Sequence, residues 1–119
     1  MIPKKYRLKN KKAFDATYKN RKIVSDSMLT LYVGKPKKDL DTPTRFGFVV
    51  SKKYHKRAVK RNRIRRLMRE CIRLALKENK LEICEQYMSF ILIPKEKTLG
   101  CKICDVQKSF FKLIGRLNH

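Results

Sequence analysis

The stretch Ala58–Glu70, AVKRNRIRRLMRE, decides how this chain is read. Six of its thirteen residues are Arg or Lys, and no acid precedes Glu70 within it. Like charge at that density works against folding unless a partner of opposite charge offsets it. Hydrophobic periodicity gives the stretch its place in the fold. Ile64, Leu67, Met68, Cys71, Leu74 and Ala75 recur at three- and four-residue spacing, the apolar stripe of an amphipathic helix over 57–80. With Ile64 at the centre and about 100° per residue, Asn62, Arg66, Arg69 and Arg73 fall opposite the stripe. Arg61 and Arg65 lie along one flank and Arg63 along the other. Nothing in YHKRAV offers a Ser, Thr, Asp or Asn to cap the start.

The cationic band continues upstream through Lys52, Lys53, Lys56 and Arg57, and no acid interrupts it from Thr42 to Arg69. The whole chain has 32 Lys and Arg against 10 Asp and Glu, a formal net charge of +22. That excess points to a polyanionic partner, nucleic acid before anionic membrane. A solvated helix face usually carries both signs in i,i+4 pairs, and such pairs are scarce here. Arg outnumbers Lys over 57–73, and its planar fork suits phosphate. A membrane-surface helix fits less well, because the apolar stripe is needed for the core and the chain has no Trp. No helix-turn-helix, zinc-finger or basic-zipper context for DNA is present, so RNA is the expected polymer.

Working outward, residues 10–20 form a short helix capped by Asn10, with Phe14 and Tyr18 on one face. Residues 28–33, MLTLYV, form a strand, with an edge strand near Ile23–Val24. The Gly- and Pro-containing segment 34–44 is a loop. Residues 45–52 follow as a strand with Phe46, Phe48 and Val50 on one side, expected to pair antiparallel with 28–33. Residues 86–95 are nearly all apolar up to Pro94, as in a strand covered on both faces. A last amphipathic helix spans 103–117. The expected architecture is α+β: one domain over 1–119, with helices against a small sheet. Its 42% hydrophobic content is enough for a core.

Two chemistries find little support. Cys101-x-x-Cys104 has the spacing of half a zinc site or a redox pair, but Cys71 and Cys84 are isolated, and Cys71 falls on the apolar stripe. The cysteines read as reduced, non-ligand thiols. His55 and His119 belong to no acid–base constellation, and the acids are scattered. A phosphodiester-cleaving site in the polypeptide alone is therefore not expected. The chain has no apolar run of membrane-span length and no apolar secretory region at its start, so a cytoplasmic location without membrane contact is expected.

The combination VVSKK…AVKRNRIRRLMRE resembles the RNR motif of the bacterial ribonuclease P protein component family. The layout is similar along nearly the whole chain, from RLKNKKAFDATYKN through LTLYV to the last strand and helix. The resemblance implies a fold like the second domain of ribosomal protein S5, a small mixed sheet packed with helices and containing a left-handed βαβ crossover. It implies an RNA-binding, tRNA-processing subunit of a ribonucleoprotein endonuclease, a hydrolase that removes 5′ leaders from precursor tRNA. Catalysis would reside in the RNA subunit, which would bind most of the Mg²⁺, with no cofactor in the protein. The implied partners are that catalytic RNA and the precursor's leader.

By the same resemblance, Arg61, Asn62, Arg63, Arg65, Arg66 and Arg69 match the RNR helix, and Lys52 and Lys53 the lysines before it. Arg57 and Lys60 join them in the basic band. Phe14, Tyr18 and Tyr32 match a central cleft that receives the leader. Tyr18 departs from a commoner Phe, and YHKR at 54–57 from a smaller, Gly-containing turn. Cys101 and Cys104 are not a family feature. Phe14 and Tyr18 read equally as stacking rings or as core, and Tyr32 reads as structural on sequence alone. The alternative is a ribosomal or architectural RNA-binding protein without a processing role; a protein-only nuclease is the weakest reading.

Overall fold

A computed structural model describes residues 4–39, 42–53, 55–78, 86–98 and 100–117. The first helix, α1 (Lys11–Lys19), starts as its sequence dictates: Asn10 is extended, and its Oδ1 accepts the Lys12 N–H at 2.9 Å. Strands β1 (Lys22–Ser25) and β2 (Leu29–Val33) form an antiparallel pair, with Ile23 opposite Tyr32. Their turn is built on Asp26, whose Oδ1 accepts the N–H groups of Met28 and Leu29 at 2.8 and 2.9 Å.

The expected hairpin between 28–33 and 45–52 does not form. Strand β3 (Arg45–Phe48) and strand β4 (Ser89–Pro94) complete a sheet of order β1-β2-β4-β3. β4 lies between β2 and β3, antiparallel to the first and parallel to the second. The physical reason is burial. The run Phe90–Leu92 is apolar on both faces and fully buried, which suits a central position. β3 has Gly47 on one face and an exposed Arg45, which suits an edge. The segment after β2 does not fold back on it but runs beside the approach to β4. Gly34 N–H reaches Ser89 O at 2.8 Å, Met88 N–H reaches Lys35 O at 2.9 Å and Lys37 N–H reaches Gln86 O at 2.8 Å.

β3 and β4 are joined by a crossover containing α2 (Ala58–Lys77). The last helix, α3 (Ile103–Leu117), follows a short 3-10 turn, Glu96–Thr98. One sheet face, with Leu29, Leu31, Val33, Phe46, Phe90 and Leu92, forms a continuous core with α2 and α3. Phe46 and Phe90 stack with ring centroids 5.7 Å apart. Along α2 the buried residues are Ile64, Met68, Cys71, Ile72 and Ala75. Ile72 lies outside the stripe expected from spacing, and its burial turns the apolar face toward the Arg61–Arg65 flank. Burial pushes the Cys71 thiol up to about 12, as befits an inert core residue.

The other face receives α1. The residue that α1 buries is Thr17, not an aromatic. Its hydroxyl meets Ser89 Oγ at 2.5 Å and donates to Ala13 O at 2.8 Å. A small hydrogen-bonded side chain at this contact lets the helix lie close to the sheet.

Asp26 also ties the β1–β2 turn to α3. Its Oδ2 accepts from Ser109 Oγ at 2.5 Å, and its backbone carbonyl accepts from Lys95 Nζ at 2.7 Å. Burial works to raise the Asp26 pKa. The hydrogen bonds from Ser109, Leu29 and Met28 and the charge of Lys112 outweigh it and hold the carboxyl below its ordinary value. A depressed folded-state pKa contributes stability above the unfolded value, and that stability is lost as pH falls through the folded one. Asp26→Asn is therefore expected to be less stable at neutral pH and to lose less stability on acidification. Urea unfolding at neutral pH and at about pH 3, below the ordinary aspartate value of about 3.9, checks this. Equal acid sensitivity of both proteins would count against it.

Candidate nucleic-acid interface

α2 has two cationic flanks. Arg65 and Arg69, four apart, line a cleft with Phe14, Gly47, Phe48 and the strand-like segment Arg7–Lys9. That segment is fixed by the Leu8 N–H to Phe46 O hydrogen bond of 2.9 Å, so α1 begins at the free edge of β3. The sheet thus brings the first helix and the middle of the basic helix to one opening, although their sequences are some 50 residues apart. On the other flank, Arg63 and Arg66 face the start of α3. Arg63, Arg66 and Arg69 have no carboxylate within ion-pair range among the described residues. Arg73 pairs with Glu70 (Nε to Oε1 at 2.9 Å), and this pairing holds the Glu70 carboxyl below its usual range.

The expected site residues divide accordingly. Lys52, Lys53, Arg57, Asn62, Arg63, Arg66 and Arg69 are exposed; Lys60, Arg61 and Arg65 are half-buried. Arg65 takes Asn62 Oδ1 as a partner at 3.2 Å. Arg61 is committed to the fold. Its Nη1 donates to the carbonyls of His55 and Lys56 at 3.0 and 2.8 Å. The N-cap position is Arg57, which makes no side-chain cap, and Arg61 closes this uncapped entry by reaching back to the preceding loop. Tyr54 lies outside the described residues.

The three aromatics do not form one wall. Phe14 is half-buried in the cleft with Arg65 and Arg69. Tyr18 and Tyr32 form an edge-to-face pair, centroids 4.7 Å apart, farther along the α1 face of the sheet. Burial, Tyr32 and Asp15 raise the Tyr18 pKa, so the phenol stays neutral and presents a donor rather than a negative charge. Cys101 and Cys104 carry free thiols that face different hollows, Cys101 toward α2 and Cys104 toward Lys108 and Phe111. Cys84 and His119 lie outside the described residues. Among the described residues no three His, Cys, Asp or Glu side chains group as metal ligands, and no helix is long and apolar enough to cross a membrane.

Sequence reasoning missed Arg7, Lys9, Gly47 and Phe48 as cleft residues. The available signal was Gly47, a glycine interrupting the alternation of RFGFVV. A Cβ at Gly47 would lie 2.6 Å from Phe14 Cζ and 3.2 Å from Leu8 Cβ, so only glycine lets the ring rest on β3. Gly47→Ala is expected to displace the Phe14 ring and to cost about 1–3 kcal/mol. Much of that cost should be absent when Phe14 is already Ala, which a double-mutant cycle in urea measures. Additive effects would place the strain elsewhere.

A mixed four-stranded sheet with a basic helix beside a cleft lined by Phe14 and Phe48 defines a small α+β protein. The Ribonuclease P family model matches residues 2–118, and the chain belongs to that family. It is 35% identical over 111 residues to the ribonuclease P protein component of Clostridium kluyveri, covering 93% of each chain. It is 37% identical over 78 residues to that of Synechococcus sp. strain RCC307, covering 59% of this chain and 61% of the relative. The solved structure of the Staphylococcus aureus RNase P protein superposes with a TM-score of 0.69 at 26% identity, covering 94% of each chain.

Proposed function

We propose that this chain is the RNA-binding protein subunit of a ribonuclease P ribonucleoprotein. In this reading it assists a catalytic RNA in removing 5′ leaders from precursor tRNA. The observation that carries the reading is the cleft in which Phe14 meets Arg65 and Arg69. Single-stranded RNA is held by cations that follow its backbone and by rings on which its bases stack. This cleft offers both within one opening, and a paired mature tRNA end has no free base to place there. The outer face of α2, where Arg63, Arg66 and Arg69 have no carboxylate partner among the described residues, serves the phosphates of the structured RNA. In this reading the phosphodiester chemistry, with its Mg²⁺, belongs to the RNA partner.

The test is cleavage of a precursor tRNA by the protein alone, by a bacterial ribonuclease P RNA alone and by both, at near-physiological Mg²⁺. The expected result is no cleavage by the protein and stimulated leader removal by the mixture. Cleavage by RNA-free protein would move the chemistry into the polypeptide. Absence of stimulation, with recovery of ribosomal or mixed RNA from cells, would favour an architectural RNA-binding role.

A further inference from the structure

The α3-side flank of α2 forms a second groove, separate from the aromatic cleft. Its floor is apolar: Ile64 is buried, while Leu67, Ile103 and Cys101 are half-buried. Arg63 and Arg66 stand exposed at its rim without carboxylate partners among the described residues. Among the described residues the one acid lining the groove, Glu70, is held by Arg73. The start of α3 is not the anion site, because Asp105 Oδ2 already accepts the Lys102 N–H at 3.2 Å. An apolar floor alone would suit a protein side chain. Two guanidinium groups without carboxylate partners among the described residues, on a chain of net charge +22, select a polyanion instead.

We infer that this groove takes one unstacked nucleotide of the RNA partner, its base on Ile64, Leu67 and Ile103 and its phosphates at Arg63 and Arg66. A helix is only about 10–12 Å across with its side chains, so one RNA can cross the outer face of α2 and enter from its far side. The inference rests on the RNA-subunit reading and adds a site to it.

The protein's own thiols report occupancy. Cys101 is on the groove, Cys104 is exposed on the other side of α3, and Cys71 is buried and serves as a silent reference. The full chain is treated with N-ethylmaleimide, with and without a bacterial ribonuclease P RNA, and each cysteine is followed by peptide mass mapping. With RNA at about ten times its Kd, occupancy alone slows Cys101 about tenfold, while Cys104 keeps its rate. A second arm uses Ile103→Glu. Position 103 is half-buried in the first turn of α3, where an acid is tolerated, so the fold survives. This variant should still bind RNA through Arg65 and Arg69 but lose Cys101 protection. Unprotected Cys101 in a formed complex, protection of Cys104 in its place, or protection that persists in Ile103→Glu overturns the groove site while leaving the RNA-subunit reading intact. Failure of the wild-type chain to bind the RNA at all overturns that reading, and the groove site with it.

Discussion

Changing Arg65 and Arg69 together to Ala is expected to lower affinity for the RNA partner on the order of a hundredfold, at about 1.4 kcal/mol per tenfold for two lost charge-assisted contacts. It should also flatten the salt dependence, since each lost phosphate contact removes about 0.7–0.9 from the logarithmic slope. Both side chains line the cleft rather than the core, and the one side-chain hydrogen bond Arg65 makes among the described residues is to exposed Asn62. The fold should therefore survive, with circular dichroism as the control. Arg61→Ala is the contrasting change. It removes the ties to His55 and Lys56 and should act on the entry to α2 before it acts on RNA. If the Arg65/Arg69 variant keeps both affinity and slope, the β3-side flank of α2 is not an RNA surface.

The second large effect belongs to the rings. Phe14→Leu with Tyr18→Leu keeps apolar volume and removes two π-faces. Base–aromatic stacking is worth about 1–3 kcal/mol per base, so the holoenzyme should bind leader-bearing precursor roughly 5- to 150-fold less tightly for each stacked base lost. Binding of mature tRNA should hardly change. The two rings are not equivalent. Phe14 lines the cleft beside Arg65, whereas Tyr18 is edge-to-face with Tyr32, so Phe14→Leu alone should carry most of the effect. The measurement is the ratio of precursor to mature affinity. An unchanged ratio in a folded double variant would falsify the stacking role, and loss of folding would assign both rings to the core.

The helices were legible because their apolar spacing is regular and their ends carry chemical signals, as at Asn10. The strand pairing was not. Proximity in sequence favoured joining 28–33 to 45–52, and only burial on both faces of Phe90–Leu92 shows which strand must be central. Likewise the basic helix was legible as a charge pattern, but the division of its arginines was not. Ile72 turns the buried face, Arg61 is spent on two carbonyls, and Arg65 and Arg69 face one opening while Arg63 and Arg66 face another. The cleft itself joins Arg7, Phe14, Gly47 and Arg65, residues from four separate elements. No local period in the sequence connects them. Phe14 and Tyr18, four apart on one helix, were expected to act together, yet the sheet beneath gives one a cleft and the other a tyrosine.

Because β4 lies between β2 and β3, the order of synthesis matters. The ribosome delivers β1, β2, β3 and all of α2 before the strand that joins the two halves of the sheet. Phe90 and Leu92, which share the core with α2, leave the ribosome only after its arginines have done so. At about 5–20 residues per second, the interval from Ala58 to Pro94 is on the order of seconds. Throughout that time the cationic segment has no closed core beneath it, and the nearest polyanion is the RNA of the ribosome that is making it.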